Sequence, residues 1–131
     1  MIVDSHVLLW WLEDESRLSP EAKESFRDAE NGITSLILSS VTFWEFRLKE
    51  LRGKLETSTP IRRWPGILAQ LPWITVVDVD TDLWLEMAEL DWAHRDPADR
   101  LIAVTALRQG VPVLTKDHQF HRSDSPVEAV W

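Results

Sequence analysis

Cysteine is absent from the 131-residue chain, so neither a disulfide framework nor a thiolate metal site exists. That absence suits a reducing compartment. The opening stretch "MIVDSHVLLWWLEDES" lacks a basic flank and meets charge just after Leu12. Neither a secretory leader nor a membrane span is expected there, and the chain is expected to reside in the cytoplasm without membrane contact. A basic surplus is missing too: the net charge is −8, which argues against a general electrostatic binder of nucleic acid. No repeat, low-complexity segment or linker interrupts the chain, and residues 1–131 are expected to form a single domain. Neither a GxxxxGK[ST] nor a GxGxxG phosphate loop is present, and no Ser-His-Asp arrangement is legible. His6, His94, His118 and His121 lack zinc-site spacing and read as surface or supporting residues.

What is present is unevenly distributed. Between Arg47 and Arg63 stand six basic residues, among them Lys49, Arg52 and Lys54, against only Glu50 and Glu56. The stretch is either a solvated helix face or a basic rim beside an acidic pocket. Eight tryptophans mostly fall inside apolar patterns and are expected in a core or a subunit interface.

Short strands alternate with helices along the chain. Residues 1–4 read as a buried strand feeding directly into a helix. "LSPEAKESFRDAENG" reads as a helix capped by Ser19, with Pro20 at its first position and Gly32 beyond its end. "ITSLILSS" reads as a strand, followed by a helix over "VTFWEFRLKELRGKL" with an apolar stripe through Val41, Trp44, Leu48, Leu51 and Leu55. "TPIRRWPGILAQL" reads as a short helix broken at Pro65, "WITVVDV" as a strand, and "TDLWLEMAEL" as a helix capped by Thr81. "DPADRLIAVTALRQG" predicts a helix apolar on nearly all sides and stopped by Gly110, before strands at "VPVLT" and "VEAVW". This alternation predicts an α/β fold with a mainly parallel sheet covered on both faces.

In such sheets ligands bind beyond the carboxyl ends of the strands. Asp4 ends the first strand, and Asp117 follows the strand at "VPVLT". Asp96 and Asp99 open the helix that feeds that strand, and Glu45 lies in the first turn after "ITSLILSS". All five are expected on one rim. Each also has a plainer role: Asp96 as N-cap, Asp99 as partner of the helix dipole, Glu45 in an i,i+4 pair with Lys49, Asp4 as a cap, Asp117 as a turn residue. Converging carboxylates without thiols suit hard divalent ions, Mg2+ or Mn2+, which bind phosphates and activate water. "VVDVDTDL" imitates the strand-end loop of aspartyl-phosphate phosphatases, but too little chain follows it, and it reads as a strand end running into a helix.

"IVDSHVLLWWL", "SSVTFWEFRLKELRGKL", and "HRDPADRLIAVTAL" followed by "VPVLTKDHQF" together resemble the PIN-domain ribonucleases, specifically VapC-type toxins of toxin–antitoxin pairs. The likeness spans essentially the whole chain. It implies a three-layer α/β/α fold with about five parallel strands, and an acidic quartet of Asp4, Glu45, Asp99 and Asp117 acting as metal ligands and catalytic groups. Asp96 matches an auxiliary acid, and Thr115 a hydroxyl supporting the last carboxylate. Ser5 stands where threonine is commoner after the first aspartate, keeping the hydrogen-bonding group. The implied activity is Mg2+- or Mn2+-dependent hydrolysis of RNA by a metal-activated water. Implied partners are an RNA substrate, a cognate antitoxin, and a second copy in a homodimer or toxin–antitoxin hetero-oligomer. Arg47, Lys49, Arg52 and Lys54 are candidates for RNA backbone contacts. Three rivals stand beside this reading: another metal-dependent phosphodiesterase (a DNA nuclease or RNA-processing enzyme), a non-catalytic metal-binding interaction module, and a phosphoacceptor domain built on Asp4 and Lys116.

Overall fold

In the computed structural model, which describes residues 1–131, the apolar runs become five short strands. These are β1 (Ile2–Val3), β2 (Leu36–Ser39), β3 (Ile74–Val77), β4 (Val113–Leu114) and β5 (Ala129–Val130). They form one sheet in the order β3-β2-β1-β4-β5, and every pairing is parallel. The helices are α1 (Ser5–Glu13), α2 (Pro20–Glu30), α3 (Val41–Leu51), α4 (Trp64–Leu68), α5 (Thr81–Glu89) and α6 (Pro97–Gln109). No helix is long and apolar enough to cross a membrane.

Period-two alternation along each strand sends neighbouring side chains to opposite faces and so divides the interior into two cores. Val3, Leu36, Leu38 and Leu114 join a cluster with Val7, Phe26, Phe46 and Trp64. Ile2 and Val113 join the other, with Leu83, Trp92, Leu101, Ile102 and Phe120. Burying each such large side chain contributes about 1.5–3 kcal/mol. Because α6 lies in the second core with residues 101 to 106 all buried, its apolar character extends around most of its circumference.

Helix ends follow local chemistry. Ser19 Oγ accepts from Ala22 N at 3.0 Å, with Pro20 opening α2. Gly110 stops α6 at φ +64°, a left-handed conformation that costs most residues free energy. Two expectations need correction. The cap of α5 is Asp80, whose carboxylate accepts from Leu83 N at 2.8 Å, while Thr81 is the first helical residue. A carboxylate one position earlier is the better acceptor for the free N–H groups of the first turn. The stripe expected along α3 is also only partly the buried face, with Val41 in the core and Leu55 packed beside it. Thr42 and Phe46, four apart, are fully buried, while Trp44 and Leu51 are 55% and 66% exposed. Sequence spacing gave the period but not the phase, which the docking of the first turn of α3 at the sheet edge fixes. The helix ends at Leu51, and Gly53 follows at φ +65°.

Of the tryptophans, Trp10, Trp64 and Trp92 are buried, as apolar patterning predicts. Trp44 and Trp84 are half-exposed and flank a groove of about 420 Å³ floored by Val41, Val79 and Leu101.

Candidate active site

The strand order reverses between β1 and β4, because β2 and β3 extend the sheet on one side and β5 on the other. A crevice opens at the carboxyl ends where such a reversal occurs. Asp4 follows β1, and its N–H donates to the Leu114 carbonyl at 3.0 Å, which sets Asp4 beside Thr115. Thr115 Oγ1 donates to Asp4 Oδ2 at 2.6 Å and accepts from Asp117 N at 3.0 Å. The hydroxyl expected to support the last carboxylate therefore supports the first one and receives only the backbone of Asp117. Register explains this, since residue 115 is the cross-strand neighbour of residue 4. The Asp117 carboxylate accepts from Gln119 N at 2.9 Å and remains partly open.

Across the crevice stands the start of α6. Asp96 Oδ1 accepts from both Ala98 N (3.0 Å) and Asp99 N (3.1 Å), a cap that immobilises the first turn. Asp99, on that turn, has its Oδ2 at 2.5 Å from His94 Nε2. His94 lacks zinc-site spacing in the sequence, yet its ring nitrogen lies among the ligand atoms of Asp99 and Asp117. Its backbone is held by Arg100, whose guanidinium donates to the carbonyls of Met87, Leu90, Trp92 and His94 at 2.7–3.2 Å. The Trp92 ring packs edge-on against the imidazole, with centroids 4.9 Å apart. One signal in the sequence pointed to His94: it stands in the loop entering α6, and that loop must lie on the same rim as the helix start.

Of the remaining candidates, Glu45 stays beside the acidic cluster and the others lie apart from it. Glu45 is partly buried and pairs with Lys49 Nζ at 2.6 Å, while its charge still acts on Asp4. Ser5 Oγ lies 2.9 Å from Thr42 Oγ1, a buried bridge between α1 and α3 and not a carboxylate contact. Arg47 is paired with Glu50 at 2.6 Å. Arg52 and Lys54 are exposed beyond the end of α3 that points away from the site.

Crowding leaves an electrostatic signature. Burial pushes the Asp4 carboxyl above its ordinary range, against the hydrogen bond from Thr115, and the charges of Glu45 and Asp117 add to the rise. Asp99 is pushed up to about 7, first by burial and then by the charges of Asp4 and Asp96, with the His94 contact opposing. His94, Asp99 and Asp117 present ligand atoms all within 4.8 Å of one another. Two carboxylates and an imidazole, with further acids alongside, form a donor set that can hold a divalent cation.

The sequence model of the PIN domain matches residues 1–125. The chain is 28% identical over 134 residues to Ribonuclease VapC22 of Mycobacterium tuberculosis, a comparison covering 100% of this chain and 98% of that protein. Two solved structures share the fold. VapBC2 from Rickettsia felis, bound to a DNA fragment from their promoter, superposes with TM-score 0.65 at 13% identity over 98% of this chain and 96% of that one. FitAcB from Neisseria gonorrhoeae superposes with TM-score 0.66 at 20% identity over 99% of this chain and 96% of that one.

Proposed function

The chain belongs to the PIN domain family, and from that premise we propose that it is a metal-dependent endoribonuclease, the toxin of a toxin–antitoxin pair. One observation carries the reading. Asp4, Asp99 and Asp117 meet with His94 at the switch point of the sheet, and burial and mutual repulsion hold Asp4 and Asp99 reluctant to ionise. Such a cluster is poor in itself and becomes favourable around a cation. The 28% identity to a ribonuclease and the likeness to solved toxin–antitoxin complexes support the same reading. A cytoplasmic site of action accords with the cysteine-free composition.

In this proposal His94, Asp99 and Asp117 hold a Mg2+ or Mn2+ ion, and Asp4 and Glu45 complete the negative pocket. The ion, when bound, supplies Lewis acidity at the scissile phosphate and lowers the pKa of a neighbouring water. Thr115 fixes the rotamer of Asp4 through its 2.6 Å bond, and the Asp96 cap fixes the turn that carries Asp99. Carboxylate oxygens left open on Asp4 and Asp117 accept hydrogens from the attacking water and orient its in-line approach. Arg100 and Trp92 hold His94 in place, so little reorganisation is needed when substrate arrives. A cognate antitoxin, and a homodimer or hetero-oligomer with it, belong to the same proposal.

The test is cleavage of a mixed single-stranded RNA by antitoxin-free protein with Mg2+, with Mn2+ and with EDTA, beside Asp99→Asn prepared identically. Metal-dependent cleavage that disappears in the variant is the expected result. Cleavage surviving in the variant, or equal activity in EDTA, refutes the assignment. Competition with single-stranded DNA separates a ribonuclease from a less selective phosphodiesterase.

A further inference from the structure

Asp4 and Asp117 share an open cleft of about 320 Å³ with His6, Trp10, Lys116 and His118. One wall of this cleft is acidic and the other is not. Lys116 Nζ lies 5.8 Å from the Trp10 ring and 6.0 Å from the Trp131 ring, and it has no carboxylate partner. The Arg17 guanidinium lies 4.6 Å from the same Trp10 ring and is likewise unpaired. Trp10 is only 9% exposed and meets Trp131 edge-on at 5.7 Å, so its face is committed to the two cations and is not available to a base. An indole beneath an ammonium or guanidinium fixes its position without neutralising it.

The cations near the acids therefore divide into two kinds. Arg47 and Lys49, on α3, are each tied to a glutamate at 2.6 Å, so their charge is largely spent. Lys116 stands directly between Thr115 and Asp117 on the loop after β4, beside the carboxylates, with no ion-pair partner. Resting on the nuclease reading, we propose that Lys116 and Arg17, seated on Trp10 and Trp131, form the rail that binds the phosphate backbone of the single-stranded substrate. The basic stretch of α3 does not serve this role. The rail contacts phosphates and no base edges, so it holds a strand in the acidic crevice without selecting sequence. It also offsets the repulsion that a chain of net charge −8 presents to a polyanion.

The test measures binding of a short fluorescein-labelled single-stranded RNA by anisotropy as salt is raised. It uses the Asp99→Asn background, in which the strand stays intact. Each lost phosphate contact removes about 0.7 from the slope of log affinity against log salt. Lys116→Gln and Arg17→Gln are expected to lower the slope by about that amount each, and the double variant by about twice as much. Lys116→Arg is expected to retain it, and Arg52→Gln with Lys54→Gln to leave it unchanged. Melting temperatures equal to the parent confirm that the variants are folded. A parent-like slope in both Lys116→Gln and Arg17→Gln overturns the rail, as does a slope that falls only in the Arg52 and Lys54 pair. Absence of RNA binding by the parent overturns it as well. Metal-dependent cleavage by the wild type decides the nuclease reading separately, so a failed rail with intact cleavage leaves that reading standing.

Discussion

Replacing Asp99 with asparagine should stabilise the metal-free protein at neutral and alkaline pH while removing its chemistry. Burial and the charges of Asp4 and Asp96 raise the Asp99 carboxyl from 3.8 to about 7, and its side chain is only 18% exposed. A carboxyl whose folded pKa lies above its unfolded value keeps its proton in the folded state while losing it in the unfolded chain. Stability is therefore full on the acid side of the ordinary carboxylate range and declines as pH rises through about 7. Three pKa units at about 1.4 kcal/mol each set a ceiling of about 4 kcal/mol. Because the carboxylates share the repulsion, removing one charge should recover roughly 2–4 kcal/mol. For a chain of this length that is on the order of 10 °C in melting temperature. Asparagine keeps an acceptor for His94, so the local hydrogen bond can persist. The assay is urea and thermal unfolding in EDTA from about pH 4 to 8, since the linkage acts between the ordinary value of 3.8 and about 7. Wild type should lose stability across this window, Asp99→Asn should lose much less, and Mg2+ should close the gap by binding wild type preferentially. A variant less stable than wild type near pH 8 in EDTA, or a flat wild-type profile, refutes the reasoning.

Other perturbations bear on the supports of the site. Thr115→Val removes both the donor to Asp4 and the acceptor for Asp117 N. It should cost about 1–3 kcal/mol in denaturant unfolding and lower turnover at least roughly tenfold at saturating metal. Asp96→Ala should lose about 1 kcal/mol of stability, whereas Asp96→Ser should lose little because serine also caps. A large loss of activity in Asp96→Ser with unchanged stability would place Asp96 among the metal ligands. Arg100→Lys cannot span the four carbonyls that the guanidinium joins. Faster amide exchange between residues 90 and 95, with weaker Mn2+ binding, is the expected result, and unchanged exchange would remove Arg100 as the support of His94.

The parallel α/β architecture and the acids on the rim follow from patterns that act locally. Alternating strand and helix periods require a covered parallel sheet, and a covered parallel sheet brings strand carboxyl ends and helix starts to one edge. Asp4, Asp96, Asp99 and Asp117 could be placed there because each is defined by its position relative to an element end. The caps Ser19 and Asp96 were legible for the same reason, since a cap acts on residues two or three positions away. Asp80 was missed because Asp80 and Thr81 are both good caps and only the helix start decides between them.

What the chain's order could not determine is any contact whose partners are distant in sequence. The bond from Thr115 to Asp4 spans 111 positions and depends on the register of β1 against β4. Ser5 facing Thr42 depends on how α3 docks, and the same docking turns Trp44 outward and Phe46 inward. His94 meets Asp99 only five positions on, but without metal-site spacing its role depends on the loop that Arg100 holds back over α6. The ion pairs of Arg47 and Lys49 are local to α3 and legible from spacing, whereas the seat of Lys116 on Trp10 and Trp131 is tertiary. Periodicity and capping are short-range and are therefore written along the chain. Register and helix phase are settled by packing, and packing decided which of the candidate residues meet.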